Sequence, residues 1–254
     1  MTAQSIGVVV PAYRPDVDQL QDYVERLDER LDPASILIEL DAPRKETLTA
    51  LDGTVGRVET AQSRRGKGAA ITTGFERLET DVLAFADADG ATGVDSFEAV
   101  LDPVVHGNGD LAVGSRRHPD ADIQNQQTLL RKLLGDGFSW LAGTLLSARL
   151  HDYQCGAKAI DAESWNEIRA YLCEPGFAWD VELIAIAGAM DARIKEVPIA
   201  WEDQPGSTVS PVQDSLDLFR ALLAARRRSK QLHTDRVSST ATTRTDQQTP
   251  LIER

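Results

Sequence analysis

Cysteine is almost absent from this sequence. Two of the 254 residues are Cys, at 155 and 173, and they form no Cys-x-x-Cys pair. The four histidines, His106, His118, His151 and His233, show no metal-ligand spacing. Neither a disulfide framework nor a zinc site is expected; reduced intracellular thiols that pack rather than react are the default. Long apolar runs are missing too. The longest, Gly137 to Ala148, falls far short of the ~20 residues that span a bilayer. Met1–Val10 has no basic region ahead of an apolar stretch, so it reads as a first strand and not as a signal peptide. Positive charge is scarce, with 27 Lys and Arg against 40 Asp and Glu and a net charge of -13. Nucleic acid is excluded as the main partner, because phosphate backbones need Lys and Arg. Lysine is the rarest charge, 6 against 21 Arg, and Asp outnumbers Glu 25 to 15. This skew fits a surface adapted to molar salt, where screening tolerates self-repulsion, and equally an ordinary acidic cytosolic protein.

What remains is a globular mix, 42% hydrophobic and 26% charged, enough for the core of one large domain or at most two. Short β-branched runs at Ile6–Val10, Ile36–Ile38 and Val82–Ala86 alternate with amphipathic stretches that predict helices over Val17–Leu31 and Lys67–Leu78. Such alternation implies an α/β fold whose mostly parallel central sheet is covered by helices on both faces. Ligands then bind at the carboxyl ends of strands. The runs end in polar or conformationally special residues: Pro11-Ala12-Tyr13, Asp41, and Asp87-Ala88-Asp89. Residues 126–150 predict two short amphipathic helices around Gly135-Asp136-Gly137. A strand over Ala157–Ile160, a helix near Val181–Met190 and a strand over Ile194–Trp201 follow. Ser210-Pro211 with Gln213 supplies an N-cap, a first-turn proline and a capping-box partner. The helix it starts carries Val212, Leu216, Phe219 and Leu223 on one face and ends in Arg226-Arg227-Arg228. The domain is expected to cover 1–232, with a polar, disordered tail over 233–254.

The strongest chemical signal is Phe85-Ala86-Asp87-Ala88-Asp89-Gly90-Ala91-Thr92, where an apolar strand delivers two carboxylates at i and i+2. Hard oxygen donors suit Mg²⁺ or Mn²⁺, which bridge phosphate oxygens. The plain alternative is a polar strand end with two solvated aspartates. Haloacid-dehalogenase-type phosphatases use a similar element, but on their first strand and with a later acidic pair that is not found here. Nucleotide-sugar transferases fit better.

The order Val8-Val9-Val10-Pro11-Ala12-Tyr13, Gly66-Lys67-Gly68, Asp87-Ala88-Asp89 and Gly114-Ser115-Arg116 resembles family 2 glycosyltransferases. The resemblance extends from about Ile6 to Arg228. Asp152-Tyr153-Gln154-Cys155-Gly156-Ala157-Lys158, Trp179-Asp180-Val181-Glu182-Leu183, and Glu196 to Trp201 with Gly206-Ser207 narrow it further. They resemble dolichyl-phosphate glucose synthases and, less closely, dolichyl-phosphate mannose synthases.

The resemblance implies the GT-A (nucleotide-diphospho-sugar transferase) fold, with Asp87 and Asp89 holding Mg²⁺ or Mn²⁺. Pro11, Ala12 and Tyr13 would line the base and ribose pocket, and Asp41 would meet the nucleobase. Asp41-Ala42-Pro43 departs from the family's Asp pair and Gly-Ser, which leaves the base open. Lys67 would steady the diphosphate, and Arg116 and Arg131 would face the acceptor phosphate or the diphosphate. Asp152 and Gln154 would lie near the donor sugar, supported by Asp180 and Glu182. Ser207 would sit on a phosphate-holding loop, where Thr208 replaces the family's cation. The implied catalytic group is Asp89, Arg116, Arg131 and Asp152.

The implied reaction is inverting transfer of a hexose, glucose favoured, from UDP-glucose or GDP-mannose to a polyprenyl or dolichyl phosphate. The enzyme would be peripheral on the cytoplasmic face of a membrane, with helices near 126–150 and 211–230 in the interface. A mannose-synthase-like enzyme, a family 2 transferase with another acceptor, and a non-catalytic nucleotide-sugar binder remain alternatives.

Overall fold

The apolar runs form strands and the amphipathic stretches form helices packed against them. In a computed structural model, residues 4–123, 129–201, 211–237 and 249–253 are described, with backbone alone at 123, 129–135, 211–217 and 233–237. The strands are β1 (Ile6–Tyr13), β2 (Ser35–Asp41), β3 (Arg57–Ala61), β4 (Val82–Ala86), β5 (Leu111–Ser115), β6 (Asp122–Ile123), β7 (Ala157–Asp161), β8 (Ile194–Pro198) and β9 (Ala200–Trp201). The helices are α1 (Val17–Leu31), α2 (Lys45–Ala50), α3 (Lys67–Glu76), α4 (Val94–Val105), α5 (Leu129–Leu145), α6 (Ala162–Ile168), α7 (Trp179–Ala189) and α8 (Pro211–Val237).

Seven strands form one sheet in the order β3-β2-β1-β4-β7-β5-β8, parallel except for β7. The chain winds outward from β1 through β2 to β3, then returns to place β4 on the other side of β1. The switch point therefore lies between the carboxyl ends of β1 and β4, where a crevice opens in such sheets. Those ends carry Pro11-Ala12-Tyr13 and Asp87-Ala88-Asp89, so the topology alone brings the two sequence signals together.

Each face of the sheet has its own core. Leu20, Val24 and Leu27 of α1 pack with Phe97, Val100 and Leu101 of α4 on one side. Ile71 and Phe75 of α3 pack with Leu183 and Ile186 of α7 on the other. Beyond its acidic first turn, helix α7 is apolar all round and buried except at Gly188, with the sheet on one side and Leu222 and Ala225 of α8 on the other.

The expected helix near Val181–Met190 is α7, which begins at Trp179 and holds Asp180 and Glu182 in its first turn. Three expectations are corrected. The pair of helices around Gly135-Asp136-Gly137 is one helix, α5. Each glycine costs about 1 kcal/mol in a helix, which burial of Ala142 and packing of Phe138, Leu141 and Leu145 offset. The expected strand over Ile194–Trp201 divides at Ile199; β8 joins the large sheet and β9 pairs with β6. Finally, α8 continues to Val237, and Leu251–Glu253 form a 3-10 turn whose Leu251 N–H donates to Leu172 O at 2.8 Å. Both depart from the disordered tail expected from 233 onward. Among the described residues, no helix is long and apolar enough to cross a membrane.

Candidate active site

The β1 end presents Tyr13, 36% exposed, with the guanidinium of Arg64 4.3 Å and that of Arg14 5.2 Å from its ring centre. Pro11 and Ala12 lie in the strand behind it, Ala12 buried. Asp41, at the β2 end, is buried and accepts from Arg65 N at 2.7 Å, Gly66 N at 3.0 Å and Arg65 Nε at 2.7 Å. A carboxylate has about four acceptor positions, so Asp41 first of all braces the loop entering α3. Glu39, fully buried beside it, takes Arg65 Nη2 at 2.9 Å and also Arg77.

That loop ends in Gly66 at φ 101, a conformation L side chains rarely adopt. A β-carbon there would sit 2.5 Å from Pro175 O, and one at Gly68 would sit 2.5 Å from Trp179 Cβ. The two glycines let the start of α3 press against 174–179 and aim Lys67 between them. Lys67 Nζ lies 2.8 Å from Asp87 Oδ1 and 3.3 Å from Asp180 Oδ2. Burial would weaken its ammonium, but Asp180 and Asp87 outweigh that and hold its pKa above the ordinary lysine range.

Asp87 and Asp89 follow β4 on a turn fixed from outside. Asp87 N donates to Gly156 O at 2.9 Å, Gln19 Nε2 donates to Asp89 O at 2.7 Å, and Gly90 takes φ 63. The Asp87 side chain lies directly over Gly156, where a β-carbon would fall 1.8 Å from its Oδ2. Asp89 accepts from Ala91 N at 3.0 Å, yet partial desolvation and then the charge of Asp87 raise its pKa. A divalent cation suits such a pair: hard donors, reachable from solvent and mutually repelling. Among the described residues no group of three or more His, Cys, Asp and Glu could hold a metal ion. The two aspartates would therefore share the ion with ligand phosphates and water, the usual arrangement for Mg²⁺.

Arg116 extends from the β5 end. Its Nε and Nη2 fork onto Asp152 Oδ2 and Oδ1 at 2.7 and 3.0 Å, and its own N–H adds a bond of 3.2 Å. Gln154 N donates to Asp152 Oδ1 at 3.0 Å, filling the carboxylate's acceptor positions. Burial raises the Asp152 pKa, but Arg116 overcomes it and drives the carboxyl well below the usual range. Asp152 thus anchors Arg116, fixing where its guanidinium stands. Glu196 holds this loop in turn, accepting from the N–H groups of His151 and Asp152 at 2.7 and 3.0 Å.

Other expected residues fall elsewhere. Asp180 lies beneath the crevice between Lys67 and Lys158. Glu182 faces away, accepting from Cys173 N and Glu174 N at 2.9 and 2.6 Å and pairing with Arg228 at 2.6 Å. It steadies the loop that packs on Gly66 instead of lining the crevice. Arg131 belongs to the backbone-only part of α5, and Ser207 lies outside the described residues. Cys155 is buried with its thiol pushed up to about 11, first by burial and then by Asp152, in keeping with a packing role. Sequence reasoning missed Arg65, Gly156 and Lys158 as site-shaping residues. The motif runs Gly66-Lys67-Gly68 and Asp152 to Lys158 border or contain all three.

Comparison with known proteins bears on the family and the fold. The model of the family described as Glycosyl transferase family 2 matches residues 7–155, from β1 through the Asp152 loop. Human dolichyl-phosphate beta-glucosyltransferase is 29% identical over 89% of this chain and 76% of its own length. Glycosyltransferase AglD of Haloferax volcanii is 29% identical over 86% of this chain, which spans only 36% of that protein. Among solved structures, glucosyl-3-phosphoglycerate synthase from Mycobacterium tuberculosis, in complex with Mn²⁺, UDP-glucose and phosphoglyceric acid, superposes with a TM-score of 0.65. That alignment has 15% identity and covers 88% of this chain and 80% of the synthase. Mannosyl-3-phosphoglycerate synthase from Rubrobacter xylanophilus gives 0.67 at 15% identity, over 95% and 78%. A mostly parallel sheet with its polar groups gathered at one switch point, matched by the family model over more than half its length, makes this chain a member of glycosyl transferase family 2 with the GT-A fold.

Proposed function

We propose that the protein transfers glucose, with inversion, from a nucleoside-diphosphate glucose to dolichyl phosphate or a related polyprenyl phosphate. The observation that carries this reading is the crevice itself. Asp87 and Asp89 stand beside Lys67 at the β1/β4 switch point, and the anchored Arg116 stands at the β5 end. Curated relatives named dolichyl-phosphate beta-glucosyltransferase support glucose and the lipid acceptor.

Tyr13, with Pro11 and Ala12, would form the nucleoside side of the pocket, with Asp41 bracing its floor. Mg²⁺ or Mn²⁺ bound by Asp87 and Asp89 would offset the charge that builds on the departing diphosphate. Lys67 supplies a second positive charge at that point, preorganised by its carboxylate partners. A phosphate acceptor is already anionic near neutral pH, so no strong base is needed. Arg116 retains N–H donors beyond those on Asp152 and orients the acceptor oxygen toward the anomeric carbon.

A lipid acceptor calls for a membrane surface. Trp140 of α5 is 73% exposed, and Phe219 and Leu223 share an exposed face of α8, with the exposed Arg227 and Lys230 beyond them. Apolar side chains followed by cations support peripheral binding there. The excess of acidic side chains supports a surface suited to concentrated salt.

Titration calorimetry with UDP-glucose and GDP-mannose tests the donor site. UDP-glucose should bind at least about tenfold tighter, a difference of about 1.4 kcal/mol, and EDTA should weaken it. Preference for GDP-mannose would favour the mannose-synthase-like alternative, and no binding of either would overturn the reading.

A further inference from the structure

Lys158 has no part in the chemistry above, although it lies at the centre of the sheet. It stands on β7 opposite Phe85 of β4 and is 1% exposed. Its ammonium donates to Cys155 O at 2.7 Å and to Asp180 Oδ1 at 2.5 Å. The other Asp180 oxygen lies 3.3 Å from Lys67 Nζ, which makes its shorter contact, 2.8 Å, with Asp87 Oδ1. Lys158, Asp180, Lys67 and Asp87 thus form a line of alternating charge from the dry interior to the crevice. Both ammonium groups lie near the Phe85 ring, at 5.6 and 5.1 Å.

Burial alone would draw Lys67 closer to Asp180 than to Asp87. The Asp180 carboxylate is 2% exposed and that of Asp87 39%, and the less screened charge attracts more strongly. Lys67 nevertheless stands closer to Asp87. Lys158 explains this, because it already neutralises Asp180 from the far side.

We propose that Lys158 is a positioning residue for the diphosphate site: by offsetting the charge of Asp180, it limits the hold of Asp180 on Lys67 and keeps the Lys67 ammonium at the crevice. The inference rests on the donor-binding reading above. With the Lys158 charge removed, Lys67 becomes the cation left in the line to balance Asp180, and it is drawn inward, away from a bound diphosphate.

The test is UDP affinity by calorimetry, with and without Mn²⁺, on variants whose folding is checked by circular dichroism. Lys158→Met should bind UDP about tenfold more weakly, equivalent to about 1.4 kcal/mol. Lys158→Met combined with Asp180→Asn should recover most of that loss, because the carboxylate that withdraws Lys67 is gone. A merely structural role would not produce this recovery. If the methionine variant fails to fold, Lys158→Gln carries the same comparison, since it can still donate a hydrogen bond but has no charge. Unchanged UDP affinity in the folded single variant, or equal losses in the single and double variants, overturns the proposal. Failure of the unaltered protein to bind UDP overturns the donor reading itself, and so is distinguishable from failure of the Lys158 inference alone.

Discussion

Asp89→Asn and, separately, Asp87→Asn should each lower kcat/KM for the nucleotide sugar by about 100-fold to 1,000-fold, the range for removing one group that stabilises developing charge. Both substitutions keep side-chain shape and remove a hard anionic donor from a site where the protein offers two. The Asp89 variant should also reveal a cost of the site. Partial desolvation, with Asp87 nearby, raises the pKa of the solvent-reaching Asp89, so the ionised carboxylate slightly destabilises the metal-free fold. The sign follows directly. For an acid whose folded pKa is raised, the penalty is full at high pH and relieved as pH falls through the folded value. Asp89→Asn should therefore melt above the unaltered protein at neutral pH in EDTA, and the difference should vanish as the solution is made acid. Thermal unfolding across pH measures it. A variant that loses activity and stability together at neutral pH would place Asp89 in the fold's support instead of the site.

Gly156→Ala should lower kcat/KM by about 100-fold, the scale for a displacement of about 1 Å in a reacting group, with little loss of folding. The new β-carbon would fall 1.8 Å from Asp87 Oδ2 and 2.2 Å from its Cγ. Something must move: the Asp87 carboxylate can turn away, and a small backbone shift must also clear Asp87 Cβ at 2.9 Å. The carboxylate would turn off its seat, releasing Lys67 and spoiling the cation site, while the Asp87 N–H to Gly156 O bond persists. Kinetics with the Mn²⁺ concentration varied should show a raised metal requirement. Full activity at unchanged metal requirement would mean that this seat is not the working position of Asp87.

Much of this site is legible in the sequence because strand ends announce themselves. Apolar β4 stops at Asp87-Ala88-Asp89, and Gly66-Lys67-Gly68 opens a helix, so chemistry and position are written in adjacent residues. The roles of Asp41 and Asp152 are not. Each reads as an acidic residue at a loop, free to meet a ligand. What fills their oxygens is Arg65, 24 positions away, and Arg116, 36 positions away, and only the folded sheet brings those together. Lys158 is hidden for a related reason. A lysine in a strand reads as solvent-facing, and its burial becomes intelligible only once Asp180 arrives from α7. The break expected in α5 failed because glycine propensity is a local cost, whereas the packing that overrides it is tertiary.

The most direct measurement is transfer of radiolabelled glucose from UDP-glucose to dolichyl phosphate in liposomes with Mn²⁺, with GDP-mannose run in parallel. Glucose label should enter the lipid phase and be lost on adding EDTA and in Asp89→Asn. Label that stays in the aqueous phase while donor binds would contradict the lipid acceptor, and no turnover of either donor would contradict a working transferase.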